Sequence, residues 1–350
     1  MATRFKELYA RKAFIALLAG FALGGGVRAE GTDSQRLASL KPLSSGFDFN
    51  YPKSPIALKS YLDEKRETKR YLVQTISFLS VGDNGQDNNQ VTGLYYQSKR
   101  PGRKPLVVVL PIWGTHTYPS RKITESLLRY SKGGMNVLRL LGKDFLFDWD
   151  AMRSAPDEQS LIAVAGRMVE RVRVNIVDIR RALDWLEKQP GIDAARIGLV
   201  GFSMGASVGG LIASHEPRIA ASALAMGGAN LNEMFATCFG RAQEARNVLL
   251  DRLGWTEEIF EKKLEAPLYP INPAAYGGRV NPNRVLLFEA EYDTCIPESG
   301  RTAFWQALGE PERILWPYDH KMAFLMMSPL GMNTMRRQIY DFLETTLLGD

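Results

Sequence analysis

Cysteine and histidine are both scarce in this 350-residue sequence. The two cysteines, Cys238 and Cys295, are too few and too far apart for a disulfide framework or a zinc site. Whether these two cysteines pair with each other stays open. The three histidines are His116, His215 and His320. The sequence therefore predicts no bound metal, and any reaction that needs an imidazole has three candidates.

A long apolar run is missing as well. The apolar segment Ala13–Leu23 is too short to cross a bilayer. It follows four basic residues and precedes Val27 and Ala29, which occupy the small-residue positions of a signal-peptide cleavage site. We therefore predict a signal peptide over residues 1–29, cleavage after Ala29, export to the periplasm or out of the cell, and no stable membrane insertion afterwards. An uncleaved anchor or a buried helix is the alternative.

A strong charge of one sign is also lacking. The formal net charge is +6, but residues 1–29 hold five basic residues and one acidic residue, so the remaining chain carries only +2. No basic stripe points to a nucleic-acid partner.

Apolar, β-branched runs alternate with helical patterns over most of the chain. Residues 30–70 are polar and irregular and form an N-terminal arm, whereas Tyr71–Gly82 and Gln90–Lys99 are typical of an antiparallel hairpin. Six later runs have the composition of strands buried on both faces of a parallel sheet. They are Pro105–Pro111, Met135–Leu141, Arg196–Gly201, Ile219–Met226, Asn283–Ala290 and Arg313–Tyr318. The alternation predicts one α/β domain over residues 71–350, a mostly parallel sheet with helices on both faces.

Residues 228–283 form a connection too long for a bare loop in a compact domain. Apolar residues at helical spacing, with Thr256 as a helix cap, predict a small helical insertion between strands 6 and 7. Five apolar residues in this insertion and in the segment Lys143–Met152 are expected either to line a substrate pocket or to pack the domain. They are Phe145, Leu146, Phe147, Trp149 and Phe235.

The stretch RIGLVGFSMGASVGG, residues 196–210, places a serine between glycines, after a strand and before a helix. This is the context of a nucleophile elbow, in which Gly201 and Gly205 let the backbone turn sharply and hold Ser203 outward. A dinucleotide fingerprint is excluded, because Ser203 stands where G-x-G-x-x-G requires glycine. Gly209 completes a GxxxGxxxG spacing, but a preceding strand does not suit a membrane helix. An ordinary turn with an unreactive serine stays open.

A serine hydroxyl becomes a good nucleophile when a histidine held by a carboxylate takes its proton. His320 follows the last predicted strand, where the elbow architecture places this histidine. His215 ends the helix that begins after Ser203 and is carried away from the hydroxyl. His116 precedes the serine in the chain. His320 is therefore the predicted base.

Three acidic residues compete for the carboxylate role. Asp293 lies in a D-x-x-I-P loop after the strand that precedes His320, and it is the predicted residue. Glu291 stands at the end of that strand, and Asp319 adjoins the histidine.

The oxyanion requires backbone N–H donors near the serine. One is predicted at Met204, directly after the serine, and the other in the loop after the strand that ends at Pro111. Pro111 has no N–H to donate. Ile112 is therefore the predicted second donor, with Trp113 next.

LDWLEKQPGIDAARIGLVGFSMGA is similar to the helix–turn–strand–elbow segment of α/β-hydrolases, and LVVVLPIWG, INPAAY, NRVLLFEAEYDTCIP and YDH occur in the order and spacing of that superfamily. The sequence most resembles its dienelactone-hydrolase-like and acyl-peptidase-like serine hydrolases, over roughly residues 71–350. The resemblance implies an α/β-hydrolase fold with an eight-stranded sheet and a Ser203–Asp293–His320 triad. The chain departs from this superfamily at the end of the oxyanion strand, where it has LPIWG in place of the common His-Gly pair. Serine replaces the cysteine of true dienelactone hydrolases, which argues against dienelactone as the substrate.

These features predict an exported serine hydrolase that cleaves a carboxylic ester of a small molecule through an acyl-enzyme, without a cofactor. An acyltransferase or a peptidase with the same triad is an alternative, although the arm over residues 30–70 is too short for the propeller domain of oligopeptidases. A non-catalytic binding module on a hydrolase fold is an alternative of another class.

Overall fold

The computed structural model describes residues 48–53, 56–114, 117–142, 146–327 and 334–349. The predicted signal peptide, residues 30–47 of the arm, His116 and Phe145 lie outside these ranges. Within them, no helix is both long enough and apolar enough to cross a membrane.

A nine-stranded sheet organises the described residues, in the order β1-β2-β3-β5-β4-β6-β7-β8-β9. The strands are β1 Lys59–Leu62, β2 Tyr71–Leu79, β3 Gln90–Ser98, β4 Lys104–Val109, β5 Asn136–Leu141, β6 Ile192–Phe202, β7 Ile219–Ala225, β8 Val285–Ala290 and β9 Glu312–Trp316. The pairs β1–β2, β2–β3 and β3–β5 are antiparallel, and all the other pairs are parallel. The predicted hairpin and the six predicted parallel strands are present, so the α/β fold class is confirmed.

The sheet has one strand more than the predicted eight. The additional strand is β1, which pairs with β2 from Lys59 opposite Ser77 to Leu62 opposite Gln74. All four residues of β1 are exposed. A short edge strand exposed on both faces has no apolar alternation, so in sequence it cannot be told from the irregular arm around it.

The helices cover both faces of the sheet. In the described ranges the α-helices are α1 Tyr118–Ser131, α2 Trp149–Ser154, α3 Glu158–Leu186, α4 Met204–His215, α5 Leu231–Thr237, α6 Arg241–Leu253, α7 Glu257–Leu268, α8 Glu298–Ala307, α9 His320–Met326 and α10 Thr334–Leu348. Leu106 and Val108 of β4 pack in one core with α3 and α4, whereas Val107 and Val109 pack in another with α1 and α10. Successive residues of this strand are thus buried on opposite faces, which explains its continuous apolar sequence.

Three of these helices, α5, α6 and α7, occupy residues 228–283 between β7 and β8, which are strands 6 and 7 of the predicted eight. Thr256 caps α7, because its side chain accepts a hydrogen bond from the Ile259 N–H at 3.3 Å. Helix α5 packs against α7, and α6 packs against α2. The insertion therefore meets the connection between β5 and α3.

A buried cluster of ion pairs joins α3 to the chain before β7. Glu216 is 2% exposed and accepts hydrogen bonds from Arg180 Nε at 3.1 Å and from Arg218 Nη2 at 2.7 Å. Arg218 also pairs with Asp184 and Glu187. Burial alone would raise the pKa of Glu216, but the hydrogen bonds and charge of Arg218 outweigh it and lower the pKa.

Glu216→Gln removes the buried charge, and we expect urea denaturation to show a loss of about 3 kcal/mol in the free energy of unfolding at pH 7. Because the folded-state pKa of Glu216 is lowered, the stability from its charge is full above the unfolded-state pKa near 4.5. It is lost as the pH falls through the folded-state pKa. The difference between wild type and variant therefore shrinks below pH 4.5.

Glu170→Gln is the matched control, because Glu170 forms an exposed i,i+3 pair with Arg173 on α3. Exposed pairs contribute little, so we expect a loss under about 0.5 kcal/mol. Equal losses for the two variants at pH 7 would contradict the role given to burial.

Candidate active site

Ser203 lies on a tight turn between the end of β6 and the start of α4. Its φ of 53° is in the left-handed region, which non-glycine residues rarely adopt and which is common at functional sites. The Ser203 N–H donates to the Ala225 carbonyl at 2.8 Å, and the Ser203 carbonyl accepts from the Ala206 N–H at 2.8 Å. These bonds hold the serine at the carboxyl end of the sheet, where it lines a cavity.

Gly201 and Gly205 allow backbone segments to approach each other closely. A Cβ on Gly201 would lie 2.2 Å from the Gly205 carbonyl oxygen, and a Cβ on Gly205 would lie 2.5 Å from the Pro111 carbonyl oxygen. Rotation of a side chain cannot relieve either contact, because the opposing atoms belong to the backbone. The two glycines predicted for the elbow therefore have a steric requirement, and the second one brings α4 against the loop after β4.

His320, the first residue of α9, lies next to Ser203. Its Nε2 is 3.3 Å from Ser203 Oγ, and its Nδ1 is 2.8 Å from Asp293 Oδ2. Asp293 Oδ1 accepts the N–H groups of Cys295 and Ile296, both at 2.8 Å, which orients the carboxylate. His320 and Asp293 are 6% and 8% exposed. The structure thus brings together the three residues of the predicted triad, whose catalytic roles stay a prediction.

The residues that compete with Asp293 and His320 for the roles of carboxylate and base make other contacts. Glu291 is exposed, and Asp319 caps α9 by accepting the Met322 N–H at 2.7 Å. His215 Nδ1 lies 2.8 Å from the Leu211 carbonyl oxygen at the end of α4, and burial lowers the pKa of its imidazole.

In the ranges described, His, Cys, Asp and Glu side chains form no group of three that could hold a metal ion.

The loop after β4 carries two of the predicted oxyanion residues. Ile112, Trp113 and Met204 line the same cavity as Ser203 and His320. Trp113 is buried and has a φ of 47°, so the loop turns sharply at this residue. The predicted donors are therefore neighbours of the serine, and the assignment of the N–H groups that bind an oxyanion stays a prediction.

Asn175 of α3 positions Trp113, a contact that was not predicted from the sequence pattern. The Trp113 Nε1–H donates to Asn175 Oδ1 at 3.3 Å. Asn175 Nδ2 in turn donates to the carbonyl oxygens of Asn84 at 2.9 Å and Arg171 at 2.8 Å. The sequence feature that could have indicated this contact is the position of Asn175, a polar residue among the apolar residues on the buried face of a long amphipathic helix.

A disulfide joins Cys238 to Cys295. Cys238 directly follows α5 of the insertion, and Cys295 lies in the loop that carries Asp293. Thr237 Oγ1 also lies 3.1 Å from the Cys295 carbonyl oxygen. The insertion is therefore covalently tied to the Asp293 loop. The sequence left this pairing open, because a separation of 57 residues says nothing about proximity in space.

Arg301 of α8 also holds the Asp293 loop, a role that the sequence did not indicate. Its Nη1 donates to the Ile296 carbonyl oxygen at 2.9 Å, and its Nε lies 3.9 Å from Glu289 Oε2 on β8. Burial raises the pKa of Glu289, and the charges of Arg313 and Arg301 offset this only in part. The loop is thus held both by α8 and by the disulfide.

A cavity of about 520 Å³ opens beside Ser203. Its aromatic lining residues in the described ranges are Trp113, Phe147, Trp149, Phe235, Phe239 and Phe324. Leu146, Phe147, Trp149 and Phe235, four of the five pocket candidates of the sequence analysis, line this cavity. The sequence left open whether these two segments line a pocket or pack the domain. Both segments contribute residues to the wall of this cavity.

The sequence profile of the Dienelactone hydrolase family matches residues 91–238 of this chain. This range runs from β3 to the end of α5 and contains Ser203, but it stops before Asp293 and His320. No curated protein has a sequence that matches the chain.

Several solved structures have a similar fold. The acetyl xylan esterase from Paenibacillus sp. R4 has a TM-score of 0.60 at 18% identity, with 84% of this chain and 90% of that chain covered. Acetyl xylan esterase 1 from Thermoanaerobacterium sp. JW/SL YS485 has a TM-score of 0.58 at 15% identity, with 82% and 87% covered. The Pyrococcus horikoshii acylaminoacyl peptidase has a TM-score of 0.50 at 18% identity, with 81% and 42% covered. At these identities the likeness is one of fold.

The Cys238–Cys295 bond is expected to stabilise the protein, because it restricts a long loop of the unfolded chain. The Cys238→Ser/Cys295→Ser variant, or full reduction of the wild type, should lower the free energy of unfolding by about 2 to 4 kcal/mol in urea denaturation. Dithiothreitol should not change the midpoint of the double variant, which serves as the control. An unchanged wild-type midpoint, once thiol titration shows complete reduction, would mean that the bond does not stabilise the fold.

Proposed function

We propose that this chain is a member of the α/β-hydrolase superfamily and hydrolyses a carboxylic ester of a small molecule through an acyl-enzyme on Ser203. The observation that carries the proposal is the series of contacts from Ser203 Oγ to His320 at 3.3 Å and from His320 to Asp293 at 2.8 Å. This arrangement converts a hydroxyl into a nucleophile. The match to the Dienelactone hydrolase family and the fold shared with esterases support ester hydrolysis.

In the first half of the reaction, His320 Nε2 takes the Ser203 proton while Oγ bonds to the carbonyl carbon of the ester. The carbonyl oxygen becomes an oxyanion that accepts hydrogen bonds from the N–H groups of Met204 and Ile112. Asp293 Oδ2 accepts the Nδ1–H and stabilises the imidazolium. The carbon–oxygen bond to the alcohol then breaks, and the alcohol leaves with the proton from Nε2.

In the second half, water replaces the alcohol. Its proton goes to His320 Nε2 while its oxygen bonds to the acyl carbon. The bond between the acyl carbon and Ser203 Oγ then breaks, and Oγ regains its proton from Nε2. One ester and one water molecule thus give one carboxylic acid and one alcohol.

The proposal includes export by the signal peptide over residues 1–29, with cleavage after Ala29 and a periplasmic or extracellular location. The Cys238–Cys295 bond supports export, because structural disulfides persist in oxidising compartments and are rare in the cytosol.

An organophosphonate probe that reacts with activated serines tests the nucleophile. We expect the wild type to be labelled at Ser203 and to cleave p-nitrophenyl acetate, and we expect Ser203→Ala to lose labelling and about 10⁴-fold or more in kcat. Ser214→Ala is the matched control on α4, because the Ser214 hydroxyl donates to the Gly210 carbonyl oxygen of the same helix at 2.8 Å. Equal labelling of Ser203→Ala and wild type, or no labelling of folded wild type, would refute the assignment.

Asn175→Leu removes the acceptor of the Trp113 indole. We expect kcat to fall by about tenfold or more with a smaller change in KM, because a displaced oxyanion donor weakens binding of the transition state more than binding of the ester. Steady-state kinetics measure both constants, and thermal unfolding shows whether the variant is folded. A folded variant with wild-type kcat and a raised KM would instead place Asn175 in substrate binding.

A further inference from the structure

Aromatic rings form a continuous wall of the cavity beside Ser203. Phe147 and Phe235 are buried, and their ring centroids are 4.8 Å apart. Trp149 packs on both rings, at 4.6 Å from Phe147 and 5.3 Å from Phe235. The three rings come from two separate segments, the start of α2 with the residues before it, and α5. Edge and tilted contacts of this kind make a large apolar surface.

Polar side chains are few among the described residues that line this cavity: Ser203, His320 and Lys321. Ser203 and His320 contact each other, and Lys321 Nζ lies 4.3 Å from the centre of the Phe239 ring. A sugar or another hydroxyl-rich group would leave polar atoms without partners against such a wall, which costs free energy. The part of the lining that the structure describes therefore disfavours a polar occupant.

We propose that the ester cleaved at Ser203 carries a bulky apolar group, an alkyl chain of about six carbons or more or an aromatic ring, that fills this cavity. The inference rests on the proposed ester hydrolysis and names the class of substrate. A volume of about 520 Å³ lies in the range of sites that enclose a whole small ligand. An acetyl group would leave most of this space to water in contact with apolar walls.

The part of the aromatic wall that α5 contributes is held by a covalent bond and by hydrogen bonds. Cys238 and Cys295, joined by the disulfide, themselves line the cavity. Arg246 of α6 donates to the carbonyl oxygens of Phe235 at 2.8 Å and Cys238 at 3.1 Å. Because these bonds hold α5 and Phe235 in position, this part of the wall loses little conformational freedom when an apolar group enters.

Two series of esters test the inference and identify the side of the scissile bond that carries the apolar group. Acyl p-nitrophenyl esters from acetyl to decanoyl vary the acyl side, and alkyl acetates from ethyl to octyl vary the alcohol side. We expect kcat/KM to rise about threefold per methylene in one series until the cavity is full, and a peracetylated sugar to stay at the level of the shortest esters. A flat profile in both series, or the highest kcat/KM for the sugar, overturns the inference.

Ala242→Trp tests whether the preference arises in this cavity. Ala242 of α6 lines the cavity and is 7% exposed, so an indole at this position reduces the volume. We expect the ratio of kcat/KM for the best apolar ester to kcat/KM for the shortest ester of its series to fall by about tenfold. This ratio does not depend on the fraction of enzyme that is folded. Gln243→Trp, at an exposed position of the same helix, is the matched control and should keep the wild-type ratio.

The failure of this inference differs from the failure of the proposed function. If the organophosphonate labels Ser203 and esters are cleaved, but the ratio in Ala242→Trp equals that of wild type, the apolar group binds elsewhere and the inference is overturned. If folded wild type is neither labelled nor active on any ester, the proposed function and the inference both fall.

Discussion

Ser203 can face the cavity only because three backbone segments approach one another more closely than side chains permit. Gly201 lies against Gly205, and Gly205 lies against Pro111. These contacts set both the left-handed turn at Ser203 and the distance from α4 to the loop that carries Ile112. A methyl group at either glycine would push the serine turn away from the neighbouring backbone. The hydroxyl and the predicted oxyanion donors are therefore positioned by one steric constraint.

The sheet and the order of the site residues are the parts that local sequence predicts best. A strand covered on both faces has to be apolar at every position, as in the run 106–109 of β4, and such a run is visible without knowledge of its neighbours. Parallel strands also end at the same edge, so residues that follow them meet there. Ser203, Asp293 and His320 each follow a strand in this way and lie within hydrogen-bond distance in series.

The features that the sequence does not reveal depend on partners far away in the chain. Strand β1 is defined by its pairing with β2, since its own residues are exposed and without pattern. Asn175 and Arg301 are polar residues on helices, and their orientation toward the Trp113 and Asp293 loops follows from helix packing. The shape of the cavity likewise depends on how the insertion packs against α2, which composition alone does not encode.

The helical insertion leaves β7 and returns into β8, which are adjacent parallel strands paired from Ser222 opposite Val285 to Ala225 opposite Phe288. A different segment could therefore connect the same two strands without changing the sheet, and it would give the cavity another wall. The disulfide sets a condition on such an exchange. A replacement without Cys238 would leave Cys295 as an unpaired thiol two residues from Asp293. An exchange of this wall of the cavity would therefore also alter the loop that orients the histidine.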